Sequence, residues 1–260
     1  MTIELIFLLI LIGAGTGAVS SVVAFPPSFI AISAAYFFLP FDNVFLPVIA
    51  TCLMAFLPVH LYAWVKLMKR HKVDFPLLIQ FSPGIALGAI IGAQVLSFME
   101  PVVFKVCFTA LALSFIYNLG VSSNLISFHK RTLPKAMSLP VGMGVGSISL
   151  LAGNCGRVLG EFIYNISNKD TERKEGTVLG FIIFSSIAAL IGFIFPAQDV
   201  ETYSLYGFAG AIHLPSLMVI GGTHSLFYYL FHERGNELDN NVLLICCLLF
   251  TLCTLFRLWF

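Results

Sequence analysis

Asn154, Cys155, Gly156 and Arg157, preceded by Gly153 and followed four residues on by Glu161, put an amide, a thiol and a guanidinium where a long apolar run stops. Leu139 to Ala152 reads as a transmembrane helix, and an interruption at that depth is costly unless it lines a polar cavity or is buried in protein. A half-helix restarting at Arg157 would aim unpaired N–H groups and its positive dipole end at the break, which is how backbone receives an anion. The hydroxyls of Thr16, Ser20, Ser21, Ser147 and Ser149 could add donors, and Thr51 and Thr177, at related positions in the two halves of the chain, could face the same cavity. Each has a plainer reading. Small polar residues are the ordinary glue between membrane helices, and Arg157 can pair with Glu161 along one helix face or snorkel to the interface. No base accompanies Cys155 on its segment, so it reads as a small filler at a tight break.

Other chemistries are poorly supported. None of the six cysteines forms a Cys-x-x-Cys pair, and His213, His224 and His232 do not have metal-ligand spacing, so neither a thiol relay nor a zinc site is expected. There is no nucleotide-binding motif, which leaves an ion gradient or the membrane potential as a source of energy, a coupling proton or cation as a partner, and no cofactor or nucleic acid. His60, His213 and His224 could carry a proton, since an intramembrane histidine titrates near neutrality; the plainer reading is that they cap helix ends at the interface.

With 58% hydrophobic and 10% charged residues, against about 25% charged in soluble domains, the chain reads as an all-α polytopic membrane protein. A span needs about 20 apolar residues. Ile3 to Val23 is long enough, but Ala24 to Ser28 interrupts it and leaves Phe29 to Leu39 as a half-length partner, so the pair reads as a hairpin. Val44–Val65, Pro76–Phe98 and Val102–Leu119 read as full spans. The plan then repeats: Ala136–Ala152 with Arg157–Ile166 as a second hairpin, followed by Gly176–Phe195, His213–Phe231 and Asn241–Trp259. Gly13, Gly15 and Gly17 match Gly142, Gly144 and Gly146, and Val73-Asp74-Phe75-Pro76-Leu77-Leu78 matches Ile212-His213-Leu214-Pro215-Ser216-Leu217. The domains expected are therefore a transmembrane repeat over residues 1–121, a cytoplasmic linker over 122–135 and a second repeat over 136–260. Gly84, Gly88 and Gly92, at four-residue spacing, mark a close helix contact.

Charge gives the orientation. Lys66, Lys69, Arg70 and Lys72, then Lys130, Arg131 and Lys135, then Lys169, Arg173 and Lys174 fall on one side, while Asp42, Glu100, Asp199 and Glu201 fall on the other. The basic loops are expected in the cytoplasm. Each half, a broken hairpin plus three spans, is then inverted relative to the other, and paired broken helices meeting near the midplane are a recurrent transporter design.

This order resembles the TauE/SafE-type sulfite exporter family. It is carried by a Gly-rich broken first helix, a helix opening at a small-Thr pair (Ala50-Thr51; Gly176-Thr177), and the turn Lys72-Val73-Asp74-Phe75 followed by Gly84, Gly88 and Gly92. The family's run of three glycines at each break is replaced here by Val22-Val23-Ala24-Phe25-Pro26 and Ala152-Gly153-Asn154-Cys155-Gly156. The resemblance implies a multi-pass protein of the bacterial inner membrane, a secondary carrier rather than an enzyme, moving a small anion such as sulfite or an organosulfur compound by alternating access. Two readings from other classes stand beside it. An intramembrane enzyme using Cys155 would be revealed by thiol labelling and turnover. A non-transporting scaffold would show no flux in proteoliposomes.

Overall fold

The computed structural model describes residues 3–39, 41–122, 134–167, 171–198, 206–232 and 240–260. These form ten α-helices: α1 (Ile3–Val22), α2 (Pro27–Phe38), α3 (Phe41–Lys69), α4 (Phe75–Leu96), α5 (Pro101–Ser122), α6 (Ser138–Leu151), α7 (Arg157–Ile166), α8 (Lys174–Ile194), α9 (Leu214–His232) and α10 (Asn240–Trp259). Helix is the expected answer in an apolar chain, because only a helix satisfies every backbone group within its own segment. Six of the described helices are long and apolar enough to cross a membrane, namely α1, α3, α4, α5, α8 and α10, and α2 and α6 are shorter apolar helices. The protein is thus an all-α polytopic membrane protein. Most of the expected linker, residues 123–133, lies outside the described residues.

Two departures from the expected elements have local causes. α9, expected as a full span, is not among the six; it carries Thr223, His224 and Ser225 in mid-helix. The chain enters it through a small antiparallel ladder, with Phe208 opposite His213 and Ala209 opposite Ile212. The two-residue turn between them has Gly210 at φ 59°, the left-handed backbone that tight hairpins require.

The chain divides into two compact units, Met1–Val59 with Ile194–Phe260, and His60–Phe193. They do not follow the sequential halves. In the first unit α1 packs along α9, and α2 packs on α10. Gly13 and Gly17 make the first contact possible, since a Cβ on Gly17 would strike the carbonyl oxygen of His224 and come within 3.0 Å of Tyr228 N. The aliphatic and aromatic core here is built on Leu9, Ile12, Ala31, Cys52, Ala55, Phe56 and Ile220. Arg257 of α10 lies over the Phe37 ring of α2, 4.8 Å from its centre.

In the second unit α4 packs along α6, and α5 packs on α7. The glycine contact recurs: a Cβ on Gly146 would strike Ile85 O and come within 2.8 Å of Ala89 N, and one on Gly88 would strike Met143 O. The small-residue spacing on α4 thus serves the close approach that it suggests. Each unit takes its broken hairpin from one sequential half and two packed helices from the other.

Candidate functional site

In the second unit, α6 ends at Leu151 and α7 begins at Arg157, and every residue from Ala152 to Val158 is buried. The chain turns twice through left-handed backbone, at Gly153 (φ 68°) and Gly156 (φ 90°), a region that a Cβ makes costly. Asn154 N donates to Ser149 O at 2.8 Å, which folds the break back on α6. Asn154 Oδ1 then accepts from Arg157 N at 3.1 Å. A helix leaves its first four N–H groups without partners of its own. Asn154 takes one of these, and α7's ladder resumes with Gly160 N donating to Gly156 O at 2.8 Å.

Room and polar groups accompany these donors. A Cβ placed on Gly156 would meet nothing within 4 Å. The hydroxyls of Ser149 and Ser186 are buried and have no hydrogen-bond partner among the described residues. Ser186 is the polar neighbour of the Cys155 thiol, at a geometry short of a full hydrogen bond. From α5, Asn118 Nδ2 donates to Val158 O at 2.8 Å, pinning the first turn of α7. Neither Asn118 nor Ser186 stands out in the sequence, since each is one polar letter inside an otherwise apolar run.

Arg157 is only 8% exposed, and its charge is answered twice. Nη2 donates to Glu175 Oε1 at 3.2 Å, and Nε lies 3.4 Å from Glu161 Oε1. Lys174 Nζ stands 4.0 Å from Glu161 Oε2. Two cations and two carboxylates balance, so the guanidinium ties α7 to the start of α8, and the pairing with Glu161 foreseen from their spacing is present. Glu175 was not foreseen, because it lies 18 residues away in sequence.

The two threonines hold helix starts. Thr177 Oγ1 accepts from Asp74 N at 2.9 Å, and Asp74 Oδ1 in turn caps α4 by accepting from Leu77 N at 3.1 Å. In the first unit Thr51 Oγ1 accepts from His213 N at 3.1 Å. The sequence motifs matched in pairs, Ala50-Thr51 with Gly176-Thr177 and Asp74 with His213, are therefore the two sides of one hydrogen bond made once in each unit.

The α1–α2 break, also in the first unit, is chemically unlike the other. Phe25 N donates to Val23 O at 2.7 Å, and Pro26 and Pro27 open α2. Proline has no N–H, so two of the donors that a helix start would present are missing. Phe25 and Phe29 stack edge to face over the turn, 6.1 Å between ring centres. Of the hydroxyls on α1, Ser21 donates to Ala18 O at 2.7 Å, Ser20 Oγ is buried with no partner among the described residues, and Thr16 donates to Ile12 O at 2.8 Å. On α6, Ser147 donates to Met143 O at 2.7 Å. The residues named from the sequence thus fall into separate places. Ser149, Asn154, Cys155, Gly156 and Arg157 gather at the α6–α7 break; Thr177 and Thr51 cap helices; Thr16 meets α9 and Ser147 meets α4, while Ser20 and Ser21 lie in the last turn of α1.

Six described helices long and apolar enough to cross a bilayer define a multi-pass membrane protein. The chain matches the model of the sulfite exporter TauE/SafE family over residues 9–258. It belongs to that family, a family of exporters rather than of enzymes. No curated protein matches the chain, and no solved structure does.

Proposed function

We propose that this protein is a secondary carrier of a small anion, sulfite or an organosulfur anion, in the cytoplasmic membrane of a bacterium, and that the anion is received at the α6–α7 break. The observation that carries the reading is the start of α7: first-turn amides, an Asn154 side chain that caps Arg157 N, open space at Gly156, and buried hydroxyls on Ser149 and Ser186 that have no hydrogen-bond partner among the described residues. A helix N-terminus offers an anion fixed donors and the positive end of the dipole. Asn154, Cys155, Gly156 and Ser149 contribute directly, while Arg157, paired with two carboxylates, positions α7. Thr51 and Thr177 hold the helices of their units in register.

In this reading the chain is two repeats of inverted topology, 1–121 and 136–260, working by alternating access. The recurrence of the glycine contact and the threonine cap in each unit supports it. Lys66, Lys69, Arg70, Lys72 and Lys174 face the cytoplasm by the positive-inside rule.

The test is flux. Purified protein in liposomes is expected to move sulfite across the bilayer, and one anion from a panel of sulfite, sulfate, thiosulfate, sulfoacetate and simple carboxylates is expected to raise its melting temperature by mass action. Absence of flux for the whole panel would leave the scaffold reading in possession.

A further inference from the structure

The first unit holds a polar pair that the second unit does without. His224, on α9, is fully buried, and its Nδ1 lies 3.0 Å from Thr16 Oγ1 on α1. The Thr16 hydroxyl hydrogen is already committed to Ile12 O at 2.8 Å, with Gly13 O at 3.1 Å. With its own hydrogen on a carbonyl, its oxygen is free to accept from the imidazole; in that tautomer Nδ1 carries the hydrogen and Nε2 is the basic nitrogen. Among the described residues Nε2 has no hydrogen-bond partner. The Phe56 ring lies 4.6 Å from the imidazole, centre to centre, close enough for an aromatic face to attract a cation.

Packing does not call for this pair. Gly142, Gly144 and Gly146 repeat Gly13, Gly15 and Gly17, so Val145 stands where Thr16 stands. Gly146 meets Ile85 O and Ala89 N just as Gly17 meets His224 O and Tyr228 N, so Ile85 stands where His224 stands. Both Val145 and Ile85 are buried. The same close helix contact is thus made with an aliphatic pair in one unit and with a hydrogen-bonded imidazole in the other. A lone ionisable group inside a membrane helix is costly and marks function by default.

Few ionisable groups surround the imidazole. On α1 the only ionisable side chain is Glu4, in its first turn, about 18 Å from Thr16 along the helix axis at 1.5 Å per residue. α3 presents Phe56 and, one turn earlier, the buried thiol of Cys52; α2 contributes Ala31 to this core. On α9 itself His213 opens the helix and His232 stacks on Tyr228 in its last turn. No carboxylate among the described residues joins this core to fix a charge on the imidazole. A cavity of about 150 Å³ lies further along α1 and α9: Ile12, Ser216 and Ile220 line it, with Thr51 and His213 also in its wall. Ser216, Ile220 and His224 are the buried stripe of α9, so the cavity ends one helical turn from the imidazole.

We infer that His224 is the proton-binding group of this carrier: a proton adds to Nε2, the imidazolium keeps its Nδ1–H on Thr16, and its release accompanies the anion's crossing. This rests on the anion-carrier reading for its coupling partner but not for its chemistry. Two measurements separate them. With 15N-histidine protein in bilayers, one imidazole signal absent from His224→Gln is expected to change from the Nδ1–H neutral form to the imidazolium as the pH is lowered from about 8 to about 4. A signal that stays neutral over that range overturns the proposal whatever the flux. In liposomes, a one-unit pH gradient is expected to let the wild type accumulate sulfite up to about tenfold, a unit of pH being a factor of ten. His224→Gln, which keeps a donor for Thr16 and a similar volume, is expected to equilibrate sulfite without accumulating it, at the same anion protonation. Equal accumulation by His224→Gln overturns the proposal. A titrating His224 in a protein that moves no anion overturns the carrier reading alone. Thr16→Val, which copies the second unit, is expected to release the Nδ1–H preference in the spectrum, and an unchanged tautomer there overturns the assignment of the hydrogen to Nδ1.

Discussion

The hydroxyl of Thr177 accepts the amide hydrogen of Asp74 at 2.9 Å while donating its own to Arg173 O at 2.7 Å. One side chain therefore closes two backbone groups, at the start of α4 and the start of α8. Gly176 beside it allows the approach, since a Cβ there would strike Lys72 O.

Thr177→Val should leave the Asp74 amide buried without an acceptor, a loss of about 1 to 3 kcal/mol. Thr177→Ser should retain most of the stability. Thermal unfolding in detergent compares the two, and equal melting temperatures for Val and Ser would show that the hydroxyl is not what holds this corner.

The glycines of α6 should respond in opposite directions. Gly146 is backed by the backbone of α4, which cannot swing aside, so Gly146→Ala should cost about 1 to 3 kcal/mol by overpacking. A methyl group on Gly144 would meet nothing within 4 Å, and Gly144→Ala should be neutral or stabilise by up to about 1 kcal/mol through helix propensity. Melting temperatures in the reverse order would contradict the α4–α6 contact.

Arg157 has two carboxylate partners of unequal exposure: the Glu161 side chain is 12% exposed and that of Glu175 52% exposed. Solvent screens the second pair more. Double-mutant cycles with Arg157→Gln should give the larger coupling for Glu161→Gln, on the order of 1 kcal/mol, and a smaller one for Glu175→Gln. Arg157→Lys should lower stability and flux together, because a single ammonium cannot hold both carboxylates as the planar fork does. Unchanged flux in Arg157→Lys would remove Arg157 from the working parts.

Asn154 separates cap from site. Asn154→Ala should cost about 1 kcal/mol as a lost helix cap. Asn154→Asp keeps the acceptor for Arg157 N and suits the helix dipole, so it should lose less stability than Asn154→Ala. Its carboxylate would stand where the anion is received, so sulfite should no longer raise the melting temperature. Undiminished stabilisation of Asn154→Asp by sulfite would move the anion site elsewhere.

The helices were legible because each segment closes its own backbone bonds and its ends are marked locally. α7, expected at Arg157–Ile166, occupies those residues, and its start is read from Gly153 to Gly156. The glycine and threonine matches were legible as patterns. Their meaning was not, because Thr51 and His213 are 162 residues apart and Thr16 and His224 are 208 apart. The difference between the two breaks was half visible: prolines at 26 and 27 are in the sequence, but the loss of donors matters only once a helix is seen to start there.

By itself the amino-acid sequence determined the class, the ten helices and the positions of both breaks, since an apolar chain in lipid must satisfy its backbone segment by segment. Tertiary structure alone decided which helices pair: α1 with α9 and α4 with α6, each drawn from opposite halves of the chain. It also decided that Arg157 is held by Glu175 as well as Glu161, and that His224 meets Thr16 rather than a carboxylate. The reason is physical. Small residues license close contact with any helix of matching shape, and which helix that is depends on all the others packed around it.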